Sequence, residues 1–199
     1  MVDGLVKGAT IVDLDGTLVS CNTLHEYIAT ALKHISLPGR VAIMMLLAAR
    51  KLHIIDHETM KYRALSIAGR DEKMLQDFVA RVNGCRRREV DEFLEKRRNQ
   101  GDTIILASAA AGFYVPYIWK GEMLVSPPGG PDLRGEAKVE AVSAYLKKNN
   151  LRLNYFLTDH SDDLPLARFT RQAGGEVLLV KPKEKLRRAF AAEGFSVEL

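Results

Sequence analysis

Cysteine is nearly absent: Cys21 and Cys85 are the only two among 199 residues, and no C-x-x-C occurs. A disulfide framework is therefore excluded. No apolar run approaches the roughly 20 residues that cross a bilayer, so stable membrane insertion is not expected. No low-complexity tract or internal repeat is present, and no secretory signal precedes the first apolar run, so the cytoplasm is the expected location. Charge is not concentrated enough for a dedicated nucleic-acid binder: the net value is only +4. The basic runs Arg86-Arg87-Arg88 and residues 181–188 lack an interleaved aromatic platform and read as solvated helix faces. What remains is 47% hydrophobic residues spread along the whole length, enough for a real core. A modestly basic balance suits an anionic substrate.

Among what is there, Asp13-Leu14-Asp15-Gly16-Thr17-Leu18 carries the most information. It follows Ala9-Thr10-Ile11-Val12, a short apolar run that reads as a buried strand. Two carboxylates are thus held at the carboxyl end of a strand, where open α/β sheets place their chemistry. One can attack phosphorus while the other handles the leaving-group proton. A calcium loop is the competing reading, but the residues that follow supply no further oxygen ligands or closing glutamate.

Beyond this strand the pattern is helical to about residue 100. One helix starts at Asn22 or Thr23 and stops at Ser36-Leu37-Pro38-Gly39. A second covers Arg40 to about His53. A third is capped by Asp56 and ended by Gly69, and two more follow, over 71–82 and 86–99. The most apolar window, residues 41–49, is expected as a buried helix. A surface-seeking helix is the other reading, because Arg40, Arg50 and Lys51 flank it. Strand and helix then alternate: a strand to Ser108, a helix over 112–120, a short strand over 123–125, a helix over 135–149. A strand to Thr158, a helix over 163–173, a strand over 176–180 and a last helix complete the chain. This predicts an α/β fold with a doubly wound, Rossmann-like parallel sheet and an inserted α-helical cap. Residues 1–19 and 101–199 form the core, and 20–100 the cap.

Three further segments bear on chemistry. Ser108 at a strand end can donate to phosphate oxygens, although a lone serine there is usually a turn residue. Lys138 begins a helix, where an anion is already favoured, although an isolated lysine is usually solvated. Asp159 and Asp163 follow a strand and suit Mg²⁺, although Asp163 also suits a helix cap.

In order and strand context these four segments resemble motifs I to IV of the haloacid dehalogenase superfamily. The matches are Asp13 and Asp15, then Ser108, then Lys138, then Asp159 with Asp163. The resemblance covers nearly the whole chain, and the helical insertion resembles a type 1 cap. It is nearest to the subfamily of phosphoserine phosphatases and C-type phosphatidylglycerophosphatases. What it implies is a Mg²⁺-dependent hydrolase of small phosphorylated substrates. Asp13 would be the nucleophile and Asp15 the acid and base. Ser108 and Lys138 would bind phosphate. Asp13, the Asp15 carbonyl and Asp159 would hold Mg²⁺, with Asp163 supporting them. A lipid or apolar phosphate is the alternative substrate, and a non-catalytic phosphate-binding domain the alternative class. Departures from the pattern are Thr158 before Asp159, His160 beside it, and a short segment between Ser108 and Lys138. Where phosphoserine phosphatases carry a glutamate for the substrate ammonium, this chain has Asn22. Arg63 aligns with their carboxylate-binding arginine.

Overall fold

The computed structural model describes residues 7–199. Five strands form one all-parallel sheet: β1 (Lys7–Val12), β2 (Thr103–Ala111), β3 (Glu122–Ser126), β4 (Leu151–Thr158) and β5 (Glu176–Leu179), in the order β3-β2-β1-β4-β5. β1 is the central strand because it can be buried on both faces. Ala9 and Ile11 point into one core layer and Val12 into the other. Ile105 and Ala107 alternate with Ile104 and Leu106 in the same way on β2. One layer is closed by α7 (Gly135–Lys148), α8 (Leu164–Gln172) and α9 (Glu184–Ala191). The other is closed largely by the helices between β1 and β2. These are α1 (Thr23–His34), α2 (Leu37–Lys51), α3 (His57–Ala68), α4 (Glu72–Gly84) and α5 (Arg88–Asn99). The α/β, doubly wound expectation is borne out.

Local chemistry sets the helix starts. The side chains of Asn22, Asp56 and Asp71 each accept a backbone N–H from the first turn of α1, α3 and α4. α1 stops before Ser36-Leu37-Pro38-Gly39, as expected, but that stretch also opens α2 three residues ahead of Arg40: Ser36 is its N-cap and Pro38 lies in its first turn, where no N–H is missed. The helix expected over 112–120 shrinks to α6 (Val115–Ile118), since Trp119 turns extended and its indole N–H donates to the Glu122 carbonyl at 2.9 Å. β2 runs on to Ala111, so Ser108 lies within the strand rather than past its end.

The largest departure is α2. The expectation of a buried helix over residues 41–49 does not hold, because only Ile43 on α2 is buried. Leu37, Met45 and Leu52 are 71%, 67% and 69% exposed. The core needs only one side of this helix, against α3, and the sequence is apolar all round. Among the described residues, no helix is long and apolar enough to cross a membrane.

Candidate active site

Asp13 leaves β1 still in the ladder, its N–H donating to the Leu157 carbonyl of β4 at 3.0 Å. The chain then turns at once. The Gly16 N–H donates to the Val19 carbonyl at 2.7 Å, and the Val19 N–H to the Leu14 carbonyl at 3.0 Å. Gly16 has φ of +84°, and a Cβ there would lie 2.0 Å from Asp159 Oδ2. Glycine therefore serves both the turn and the close approach of the Asp159 carboxylate. Thr17 Oγ1 donates to Asp159 Oδ1 at 2.9 Å and fixes that carboxylate over the turn. The Asp15 carboxylate accepts the Thr23 N–H at 2.8 Å, at the positive end of α1.

Lys138 joins the pieces. It sits in the first turns of α7, 3% exposed, and donates to Asp13 Oδ1 at 3.0 Å and to Asp163 Oδ1 at 2.5 Å. Thr158 Oγ1 donates to the other Asp163 oxygen at 2.6 Å. Burial works against the lysine charge, but Asp13 and Asp163 outweigh it and hold Lys138 above the ordinary lysine range. Burial pushes Asp13 above the ordinary carboxylate range; Lys138 opposes the rise, and Asp163 and Asp15 add to it. Asp15 and Asp159 are raised too, by burial first, with the Thr23 and Thr17 hydrogen bonds opposing.

These groups floor an open cleft of about 620 Å³. Ser108 and Ala109 of β2 line it, as do Arg134 and the lysines at 181, 183 and 185. The Ser108 hydroxyl accepts the Ala110 N–H at 3.2 Å, where the register between β2 and β3 shifts. Cys21 also borders the cleft, but burial pushes its thiol up to about 12, with Cys85 beside it. A thiolate nucleophile is thus disfavoured.

The family model of haloacid dehalogenase-like hydrolases matches residues 10–168, a span from β1 into α8. The chain belongs to that family. Comparison with curated protein sequences finds no match. Solved structures do match. A protein of unknown function from Bordetella pertussis Tohama I is 17% identical with a TM-score of 0.75, covering 98% of this chain and 99% of that one. A probable phosphoserine phosphatase from Vibrio cholerae, in unliganded form, is 14% identical with a TM-score of 0.69, covering 96% of this chain and 60% of that one. A phosphoserine phosphohydrolase-like protein from Francisella tularensis subsp. tularensis SCHU S4 is 13% identical with a TM-score of 0.57, covering 96% and 94%. At these identities the likeness is one of fold.

In this haloacid dehalogenase-like hydrolase, Asp13, Asp15, Ser108, Lys138, Asp159 and Asp163 all reach one cleft. Asn22 lines it as well, with its side-chain oxygen engaged in capping α1. Arg63 does not: it is exposed on α3 and borders no part of the cleft. The inward cation of α3 is Lys61, which pairs with Asp132 and donates to the Ala109 carbonyl at 3.0 Å. His160 is exposed, and its ring nitrogen accepts the Asp162 N–H at 3.2 Å. Sequence reasoning missed Arg87. The triplet read as a solvated face is divided: Arg86 pairs with Asp91, Arg88 with Glu92, and Arg87 Nε donates to the Gly16 carbonyl at 3.0 Å. Lys61 and Arg87 both tie helices of the insertion to backbone around the site.

No three His, Cys, Asp or Glu side chains among the described residues converge as a ready metal cage. Mg²⁺ does not need one, since it keeps several waters and takes one or two carboxylates plus phosphate oxygens. Asp13 and Asp159, buried or half-buried with raised proton affinity, are such a pair. The donor set fits a hard dication whose remaining ligands come from water and substrate.

Proposed function

We propose that the chain is a Mg²⁺-dependent phosphomonoester hydrolase that works through an aspartyl-phosphate on Asp13. The observation that carries this reading is the Lys138 bridge: a buried ammonium joined to Asp13, with Asp15 on the same turn. A carboxylate and a phosphate repel each other, and a cation between them offsets that repulsion. Asp13 attacks phosphorus, the bond to the leaving oxygen breaks, and the Asp15 carboxyl gives its proton to that oxygen. Burial raises the proton affinity of Asp15, which favours the acid role. Asp15 then takes a proton from water, the water oxygen attacks phosphorus, and the bond to Asp13 breaks. Ser108 and Lys138 bind the phosphoryl oxygens, and Asp163 holds Lys138 in place. Asp13, the Asp15 carbonyl and Asp159 would hold Mg²⁺, which when bound neutralises phosphate charge. Residues 1–19 and 101–199 act as the catalytic core and 20–100 as a cap over it. A non-catalytic binder has no need of both Asp13 and Asp15.

The test is phosphate release from a panel of aryl, sugar, nucleotide and lipid phosphates, with Mg²⁺ and with excess chelator. Release is expected only with metal. Undiminished release in chelator would sink the metal-dependent reading, and no release from any substrate would sink the hydrolase reading.

Metal should also stabilise the fold. Asp15 and Asp159 bind protons more tightly folded than at their ordinary value of 3.8. Their charged forms therefore weaken the metal-free fold, a loss that begins as pH rises through 3.8 and is complete above their raised values. At neutral pH, Mg²⁺ should raise Tm. Asp159→Asn, which keeps the Thr17 hydrogen bond, should raise the metal-free Tm and shrink the Mg²⁺ shift. Calorimetry with and without Mg²⁺ checks both, and a Tm blind to Mg²⁺ contradicts the donor assignment.

Specificity follows from charge. A substrate ammonium needs a carboxylate in a partly dry site. Asn22 is neutral, and Glu26 is bound to Arg81 at 2.6 Å. The rim adds cations, Arg134 and the lysines at 181, 183 and 185. Phosphoserine is therefore expected to be a poor substrate, with kcat/KM at least about tenfold below the best of the panel. Phosphoserine ranking first would refute this. The outward apolar face of α2 favours a second reading, in which the leaving group is lipid or otherwise apolar.

A further inference from the structure

The solvent side of α2 takes no part in the phosphoryl-transfer steps above. Leu37, Val41, Met44, Met45 and Leu52 are all exposed, and Ile54 just beyond is 71% exposed. Their spacing, together with exposed Ala48, places them on one side of the helix over about four turns. The opposite side, with Ile43, Leu46 and Leu47, packs into the core. Continuous exposed apolar surface of this kind marks an interaction site.

Its surroundings identify the occupant. From Tyr27 to Ile55 the chain contains no Asp or Glu, while it carries Lys33, Arg40, Arg50 and Lys51. Lys33, Arg40 and Lys51 are exposed. Of the acids nearby, Asp56 caps α3 and Asp77 is bonded to His34. Two copies packed through α2 would bring these cations face to face with no acid in the segment to offset them. An anionic surface meets both features at once, apolar side chains below and cations at the level of the headgroups. At fifteen residues α2 is too short to span a bilayer, and it suits lying in the interface.

We propose that the outward face of α2 docks the protein on anionic lipid bilayers, with its apolar stripe in the interface and Lys33, Arg40 and Lys51 at the lipid headgroups. This docking does not depend on the hydrolase reading. The experiment is co-sedimentation of the full chain with vesicles of phosphatidylcholine alone or with 30% phosphatidylglycerol as a working composition of about that proportion. Binding is expected to be at least about tenfold tighter to the anionic vesicles and to fall with salt. The double variant Met44→Glu, Met45→Glu should lose at least about tenfold in binding with Tm unchanged, because both side chains face solvent. Arg40→Gln with Lys51→Gln should abolish the anionic preference and leave the fold intact. Wild-type protein that stays in the supernatant with anionic vesicles overturns the proposal. So does a dimer by light scattering that the Met44, Met45 variant converts to monomer without any vesicle binding by wild type.

Discussion

Asp13→Asn is expected to lose at least about 10⁴-fold in turnover, more than 5 kcal/mol of transition-state stabilisation, while Tm stays within a few degrees of wild type. The amide keeps an oxygen for the Lys138 ammonium and the N–H that joins Asp13 to β4. What it loses is the negative oxygen that, in the proposed mechanism, attacks phosphorus. Rapid-quench labelling should find acid-stable, hydroxylamine-labile phosphate on the wild type and none on the variant. A variant that turns over at the wild-type rate excludes Asp13 as the nucleophile. Loss of activity together with collapse of Tm would instead point to a structural role.

Lys138→Met should affect both activity and stability. It leaves the buried Asp13 and Asp163 facing each other without their shared cation. Breaking a buried charge pair from one side costs about 3–5 kcal/mol. In a chain of this size that is a fall in Tm of about 10 °C. Turnover should drop about 10²–10³-fold, the usual result of removing one donor from a developing oxyanion. Adding Asp163→Asn to Lys138→Met should recover part of the lost stability and none of the turnover, because it removes the unpaired acid and does not restore the phosphate ligand. If the double variant is less stable than the single one, the unpaired acid is not the source of the lost stability.

The sheet was legible because its signals are local. Ile11-Val12 before Asp13 and the apolar run before Asp159 need only burial to become parallel strands. The cap Asp56, and Asn22 as one of two candidates with Thr23, were legible for the same reason, each accepting an N–H three residues on; Asp71, read as the first residue of its helix, is its cap. Lys138 was not legible by itself: nothing in Gly135-Glu136-Ala137-Lys138 marks a buried ammonium, and only the ordered set of motifs singled it out. Lys61 and Arg87 were beyond reach. Their acceptors include the carbonyls of Ala109 and Gly16, and a backbone carbonyl leaves no trace in the identity of its residue. Arg63 and Lys61 lie two positions apart on α3, and composition cannot say which of them faces inward. The error on α2 has another cause. Apolar residues on every side give no amphipathic contrast, so periodicity cannot tell a helix wrapped in protein from one with a face left over.

The position of the insertion also bears on how the chain folds. β1 precedes the other described strands and lies at the centre of the sheet, yet its pairing with β2, Ala9 against Thr103, closes a loop of roughly ninety residues. Its other neighbour, β4, lies further still along the chain. The strand that ends at Asp13 therefore has no partner until the five helices after it have been synthesised. Those helices contact one another, α1 with α3 and α4 and α2 with α3, over shorter sequence separations than β1 with β2, and contacts of shorter separation form faster. The expected order of assembly is helices first and central sheet last. Asp13 would then meet Lys138 and Asp159 only in the final closure, and catalytic competence would appear with the slowest step of folding.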